Sequence, residues 1–423
     1  MPAPGAGPES GSAPRAVLER SMVHARLATS AAFVAQGLLF TVLLTHLPQF
    51  KDRFALADGT VTLIVVMVTL IAGVGSLASE ALAARTSSRL ALRLALLLAA
   101  VTATVIGTAG ELWLFIAAFA MYGIALGGID AASNMQGVAV QHGYGRSVLN
   151  SFHAAWSAAA IAGALYVAAG EEAGLDLGLS VALAAGVVLI IAAGPGAWLL
   201  EPRLKTSGGL DARSAPDAVA PVGELPGFLS RGPLLMLGLA LAAYWAVDSG
   251  ASSWGAIYLT DVLDSSDSVA PLAYGAYQAL ALVSRLFGDR AVQRAGAVTT
   301  VRAGALIGIA GTLLLVLAPA PAVAVTGFAL AGLGLAVVPP LCFAAAGARA
   351  RDQLQADQLV ARLNVFNYLG ALLGAALIGA VGSGLGLRGG FFLAVLLAGS
   401  LLLLARAFRP TLTDPAGAGS APR

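Results

Sequence analysis

The feature that most constrains this chain is its succession of apolar segments, each close to the length that crosses a bilayer. A helix needs about 20 apolar residues to span the hydrocarbon. Twelve segments qualify, at roughly 26–47, 60–82, 90–108, 113–138, 148–169, 178–200, 232–259, 270–288, 298–318, 322–345, 360–382 and 388–407. Composition agrees. Of the 423 residues, 58% are hydrophobic and 11% charged, more apolar surface than a soluble domain needs. The 51 glycines and the Ala-rich runs suit helices that pack closely in lipid, where small residues let backbones approach. The expected fold is therefore an all-α membrane protein with twelve transmembrane helices in two six-helix bundles.

Charge sets the orientation. With the N-terminus in the cytoplasm, only Lys51, Arg53 and Arg388 of the 24 basic residues fall in outer loops. Those loops carry acids instead: Asp52, Asp58, Glu111, Glu171, Glu172, Asp176, Asp261, Asp264 and Asp267. Cytoplasmic loops gather Lys and Arg, so both termini are expected inside.

The chain divides in two. Residues 201–230 are rich in Pro, Gly, Ala and charge and read as a flexible cytoplasmic linker. The expected organisation is a disordered tail over 1–23, a bundle over 24–200, the linker, a second bundle over 231–407 and a tail over 408–423. The first tail has no apolar core of the kind a secretory signal carries. Internal repetition supports the division. The loop after span two holds Glu80 and Arg85, and the loop after span eight holds Asp289 and Arg294, at the same spacing. Span five opens with Leu149-Asn150-Ser-Phe152-His153, and span eleven with Leu363-Asn364-Val-Phe366-Asn367. Two matching halves point to a transporter with its site at their interface.

Polar residues inside the spans nominate that site, because ionisable groups are expensive in lipid. Asp130 and Asn134 lie four apart on one face of span four. Asn150, His153 and Trp156 lie on span five, and Gln36 is the strongly polar group deep in span one. Span seven adds Tyr244, Asp248 and Trp254. Span eight adds Tyr274, Tyr277 and Gln278, and span eleven adds Asn364, Asn367 and Tyr368. Burial disfavours the charged form of a carboxyl group, so a membrane-embedded acid can load and release a proton. Asp130 is assigned as the proton-coupling acid; the other reading is a hydrogen-bond hub between spans four and five. His153 is either a proton relay or a neutral bridge between helices. Gln36, Asn134, Asn150, Trp156, Tyr244, Asp248, Tyr274, Gln278, Asn364 and Asn367 are the candidate substrate contacts. Aromatic rings with amides suit a sugar-like solute and also an aromatic drug.

The loop Arg285-Leu-Phe-Gly288-Asp289-Arg290-Ala-Val-Gln-Arg294-Ala-Gly296 resembles the cytoplasmic signature of the major facilitator superfamily. Within it, the chain is similar to the fucose-permease-like bacterial branch. That likeness rests on Asp130-x-x-x-Asn134, the Gly145-Arg146 hinge, Ser151-Phe152-His153-x-x-Trp156-Ser157 and the Asp248, Trp254, Tyr258 pattern of span seven. The resemblance implies the same two-bundle architecture and alternating access. Arg285, Asp289, Arg290 and Arg294, with Glu80 and Arg85 after span two, then read as a conformational latch, or as positive-inside anchoring. Pro339-Pro340 should kink span ten.

Absences shape the expectation further. The sequence has no Gly-rich ATP loop, no nucleophile motif and no metal-ligand spacing, and Cys342 is a single cysteine that excludes an internal disulfide. A net charge of +2 implies no nucleic-acid partner. The expectation is a non-enzymatic secondary transporter of the cell inner (plasma) membrane. It would work without cofactor or metal, as a monomer, with the lipid bilayer, protons and a small-molecule substrate as partners. Its expected activity is proton-coupled symport of a small polar, sugar-like solute. The alternative is proton-antiport efflux of a hydrophobic or aromatic compound.

Overall fold

The structure is a computed structural model that describes residues 12–201, 232–266 and 269–409. The expected linker past residue 201 and the expected tail past residue 409 lie outside the described residues, as do residues 1–11; residues 12–23, expected as part of a disordered tail, are instead the opening turns of the first helix. Every expected span is helical. Spans one to six are Ser12–Thr45, Asp58–Arg85, Ser88–Thr108, Leu112–Tyr144, Leu149–Glu172 and Leu177–Ala193, with a short helix Leu47–Arg53 after the first. Spans seven to nine are Gly232–Ile257, Leu272–Ala295 and Ala297–Val316.

The last three spans show how local chemistry breaks a helix. Span ten is two helices, Pro321–Leu335 and Val338–Gly347. Pro339 and Pro340 cannot donate to the preceding turn, so the first helix stops and the second starts with its prolines in the opening turn, where no donor is needed. Spans eleven and twelve run together as Gln353–Leu404, broken at Gly386 with φ of 74° and ψ of 161°. A side chain resists positive φ, so glycine makes this reversal without strain. Among the described residues ten stretches are long and apolar enough to cross a membrane, the longest being Gln353–Phe408. Resolving that stretch into its two arms, and adding the charged Leu272–Ala295, gives twelve spans. Side-chain caps sharpen three starts: Ser87 on Leu90, Asp176 on Leu179 and Asp352 on Gln355.

Packing groups the helices into halves. In the first, span one lies on spans five and six, and span four on spans two and three. In the second, span seven lies along span eleven, and span ten contacts spans eight and nine. Close approach needs absent side chains. A Cβ on Gly127 would sit 1.8 Å from the Ala72 carbonyl oxygen, and one on Gly374 would sit 2.3 Å from the Ala246 Cα. The halves meet where span two faces span eleven and span five faces span eight.

Candidate functional site

Asp130 sits on span four where the two halves face each other. Gln36 of span one donates from Nε2 to its Oδ1, and the Tyr368 hydroxyl of span eleven donates to its Oδ2. The carboxylate therefore ties span one of its own half and span eleven of the other. Tyr122, just over two turns back on span four, lies within its electrostatic reach. Asn134 donates from Nδ2 to the Asp130 carbonyl at 2.9 Å, and its Oδ1 faces His153 Nε2 at 3.2 Å. A carbonyl only accepts, so the Asn134 amide is fixed, its oxygen must accept, and His153 carries a proton on Nε2. The His153 ring lies 5.1 Å from Phe33 of span one and 6.4 Å from Phe343 of span ten. Trp156 lies farther along span five beside Phe40, with rings 6.1 Å apart.

A second polar cluster lies on spans seven and eight. Asp248 accepts from the Tyr274 hydroxyl at 3.3 Å, and Gln278 donates to that same hydroxyl. Tyr277 stacks on Tyr274 with rings 5.9 Å apart. Arg285, expected at the inner latch, is instead buried here. It donates to the Tyr244 hydroxyl at 2.8 Å and, across the halves, to Ser157 of span five. Its guanidinium lies inside the bundle and away from water, so its hydrogen-bond partners must come from the protein.

The remaining residues build a closed face at the arginine-rich side. Asp289, at the end of span eight, receives Ser147 Oγ at 2.8 Å, Asn150 N at 3.1 Å, Asn150 Nδ2 at 3.1 Å and Ser151 N at 2.9 Å. It thus caps span five from the other half, placing a negative charge on a helix N-terminus. Asn150 belongs to this junction and not to the Asp130 group. Glu80 mirrors the arrangement: it leaves the end of span two and pairs with Arg362 of span eleven at 3.0 Å. Arg85, Arg290 and Arg294 are exposed and join no ion pair among the described residues. Asn364 donates to Ser76 at 3.4 Å and accepts from Asn367 at 2.6 Å, so this amide pair also seals spans two and eleven.

Sequence reading passed over Arg362, Ser76 and Ser147. The signal for Arg362 was present, since it is a basic residue at the head of the span that repeats span five. Its partner lies 282 positions away, a separation no local pattern spans. No group of His, Cys, Asp and Glu able to hold a metal occurs among the described residues.

Comparison with known proteins fits this geometry. The sequence profile of the Major Facilitator Superfamily matches residues 29–357. An uncharacterized transporter, y4wD of Sinorhizobium fredii, is 29% identical over 380 residues, covering 89% of this chain and 96% of the relative. Among solved structures, FucP in the outward conformation superposes with a TM-score of 0.77 at 17% identity, over 93% of this chain and 100% of that one. A second FucP structure is described as the E. coli fucose:proton symporter and scores 0.75 at 16% identity over the same shares. The human organic anion transporter MFSD10 scores 0.69 at 18% identity, over 92% and 99%. At these identities the structural likenesses speak for the fold alone. Twelve helices in two facing bundles, a charged motif after span eight and the profile match over most of the chain together place it: this protein is a member of the Major Facilitator Superfamily, a multi-pass membrane transporter.

Proposed function

We propose that this transporter is a proton-coupled symporter of a small polar solute, with Asp130 as the residue that carries the proton. The observation that supports this most is the pair of donors on the Asp130 carboxylate, Gln36 from one half and Tyr368 from the other. Hydrogen bonds to an ionised carboxylate are roughly twice as strong as neutral ones. A proton arriving on Asp130 weakens both, and one of them is a tie between the rocking halves. Proton occupancy thus biases the equilibrium between two arrangements of the bundles, which is what coupling requires. His153, hydrogen-bonded through Asn134, is the second group in the relay. Trp156, Tyr244, Asp248, Tyr274 and Gln278 supply contacts for the solute.

The arginine-rich face is the cytoplasmic one by the charge rule, so the linker and both tails lie in the cytoplasm of a plasma-membrane protein acting as a monomer. The hydrogen bonds of Asp289 and the Glu80–Arg362 pair then tie the halves together on the cytoplasmic side. The description of FucP as a fucose:proton symporter adds support to the direction.

Proteoliposomes containing a pH-sensitive dye test the proposal. Under an imposed proton gradient, added solute should carry protons inward, and Asp130→Asn should abolish that proton movement. Undiminished gradient-driven transport in Asp130→Asn overturns the assignment. Proton movement opposed to that of a lipophilic aromatic compound would establish antiport efflux instead.

A further inference from the structure

Arg285 is a cation held at the interface of the halves, 4% exposed. Two of its nitrogens donate to neutral hydroxyls, those of Ser157 and Tyr244, and its Nε–H has no partner. Asp248 is 6% exposed and lies within electrostatic reach of Arg285. The two make no ion pair among the described residues. One Asp248 oxygen accepts from Tyr274, and the Tyr244 and Tyr277 hydroxyls also face this carboxyl, but Oδ1 has no hydrogen bond of good geometry. A buried guanidinium hydrogen-bonded only to hydroxyls is costly, and so is a buried carboxylate with an oxygen left without a hydrogen bond.

Within reach of each other but unpaired, these two groups define what a ligand must bring: an anionic acceptor for Arg285 and a donor for Asp248. The guanidinium fork matches a carboxylate or a phosphate. The negative charge of Asp248 close by opposes a dianion, which favours the singly charged carboxylate. We infer that the transported solute carries a carboxylate, bound at Arg285, and a hydroxyl or amino group, bound at Asp248. It is a small hydroxy or amino acid and not a neutral sugar. The inference rests on the proton-symport reading and narrows its substrate class.

The test measures binding and transport separately. In detergent, thermal unfolding of the whole protein is followed with gluconate, serine, propionate (an acid without the donor) and glucose, because a ligand that binds the folded state raises its Tm. Gluconate or serine should raise Tm, propionate less, and glucose not at all. Arg285→Gln should weaken acid binding by roughly 10- to 100-fold, the range for a hydrogen bond to a charged group, and Arg285→Lys should restore part of it. Ligand-free Tm reports whether each variant folds. In proteoliposomes the same acids should drive proton uptake. A response to glucose alone overturns the inference and leaves proton symport standing. No response to any of the four overturns both. An acid response unchanged in Arg285→Gln and Arg285→Lys overturns the role of Arg285.

Discussion

A carboxylate in lipid is defined by its donors, and the acids of this chain have different sets. Asp130 is answered by an amide and a phenol from two helices in opposite halves. Removing one donor should therefore leave a working but slower carrier. Tyr368→Phe is expected to cut solute-driven proton uptake by about tenfold, the worth of one charge-assisted hydrogen bond, while Tyr122→Phe, which adds no direct bond, should change it little. Equal rates in Tyr368→Phe and wild type would argue against the bridge. Glu80 is answered instead by a charge: it is buried and paired with the partly buried Arg362, their side chains 3% and 14% exposed. Breaking such a pair from one side strands a charge and costs about 3 kcal/mol. Glu80→Gln and Arg362→Gln should each lower unfolding stability by about that amount, and the double variant by less than their sum. Strict additivity would mean the pair contributes nothing as a pair.

At the scale of elements, two glycines do work that no other residue can. Gly288 precedes Asp289, and a Cβ there would meet Asn150 Oδ1 at 2.6 Å. Span eight reaches the head of span five only because that Cβ is missing. Gly288→Ala should destabilise by about 1–3 kcal/mol, the usual cost of overpacking, seen as a lower unfolding midpoint in detergent. Gly386 turns span eleven into span twelve at φ of 74°. Gly386→Val should cost about 1–2 kcal/mol, since a branched side chain resists positive φ. A neutral result at 386 would mean the turn adopts another backbone path.

For the whole molecule, closure on the arginine-rich side is a set of contacts between halves, and Asp289 gathers four of them on one carboxylate. Asp289→Ala should shift the population toward opening on that side. A thiol introduced by Ser147→Cys sits against Asp289, and the natural Cys342 is buried, so background labelling is low. A hydrophilic maleimide applied to the arginine-rich side should modify that thiol roughly tenfold faster in Asp289→Ala, as loss of a few charge-assisted bonds implies. An unchanged labelling rate would show that other contacts hold the face shut. The sequence by itself determined the helices, their number and their grouping, because lipid forces each apolar run to satisfy its own backbone and the halves repeat their marks. Pro339-Pro340 and the Asp130–Asn134 spacing were legible for the same reason, being local. Only the tertiary structure decided which polar groups meet. Arg362 found Glu80, Arg285 turned inward to Tyr244 and Ser157, and Asn150 joined Asp289 and not the Asp130 group. Those partners lie on helices far apart in the chain, and their meeting is set by how two bundles dock, which no spacing within one segment encodes.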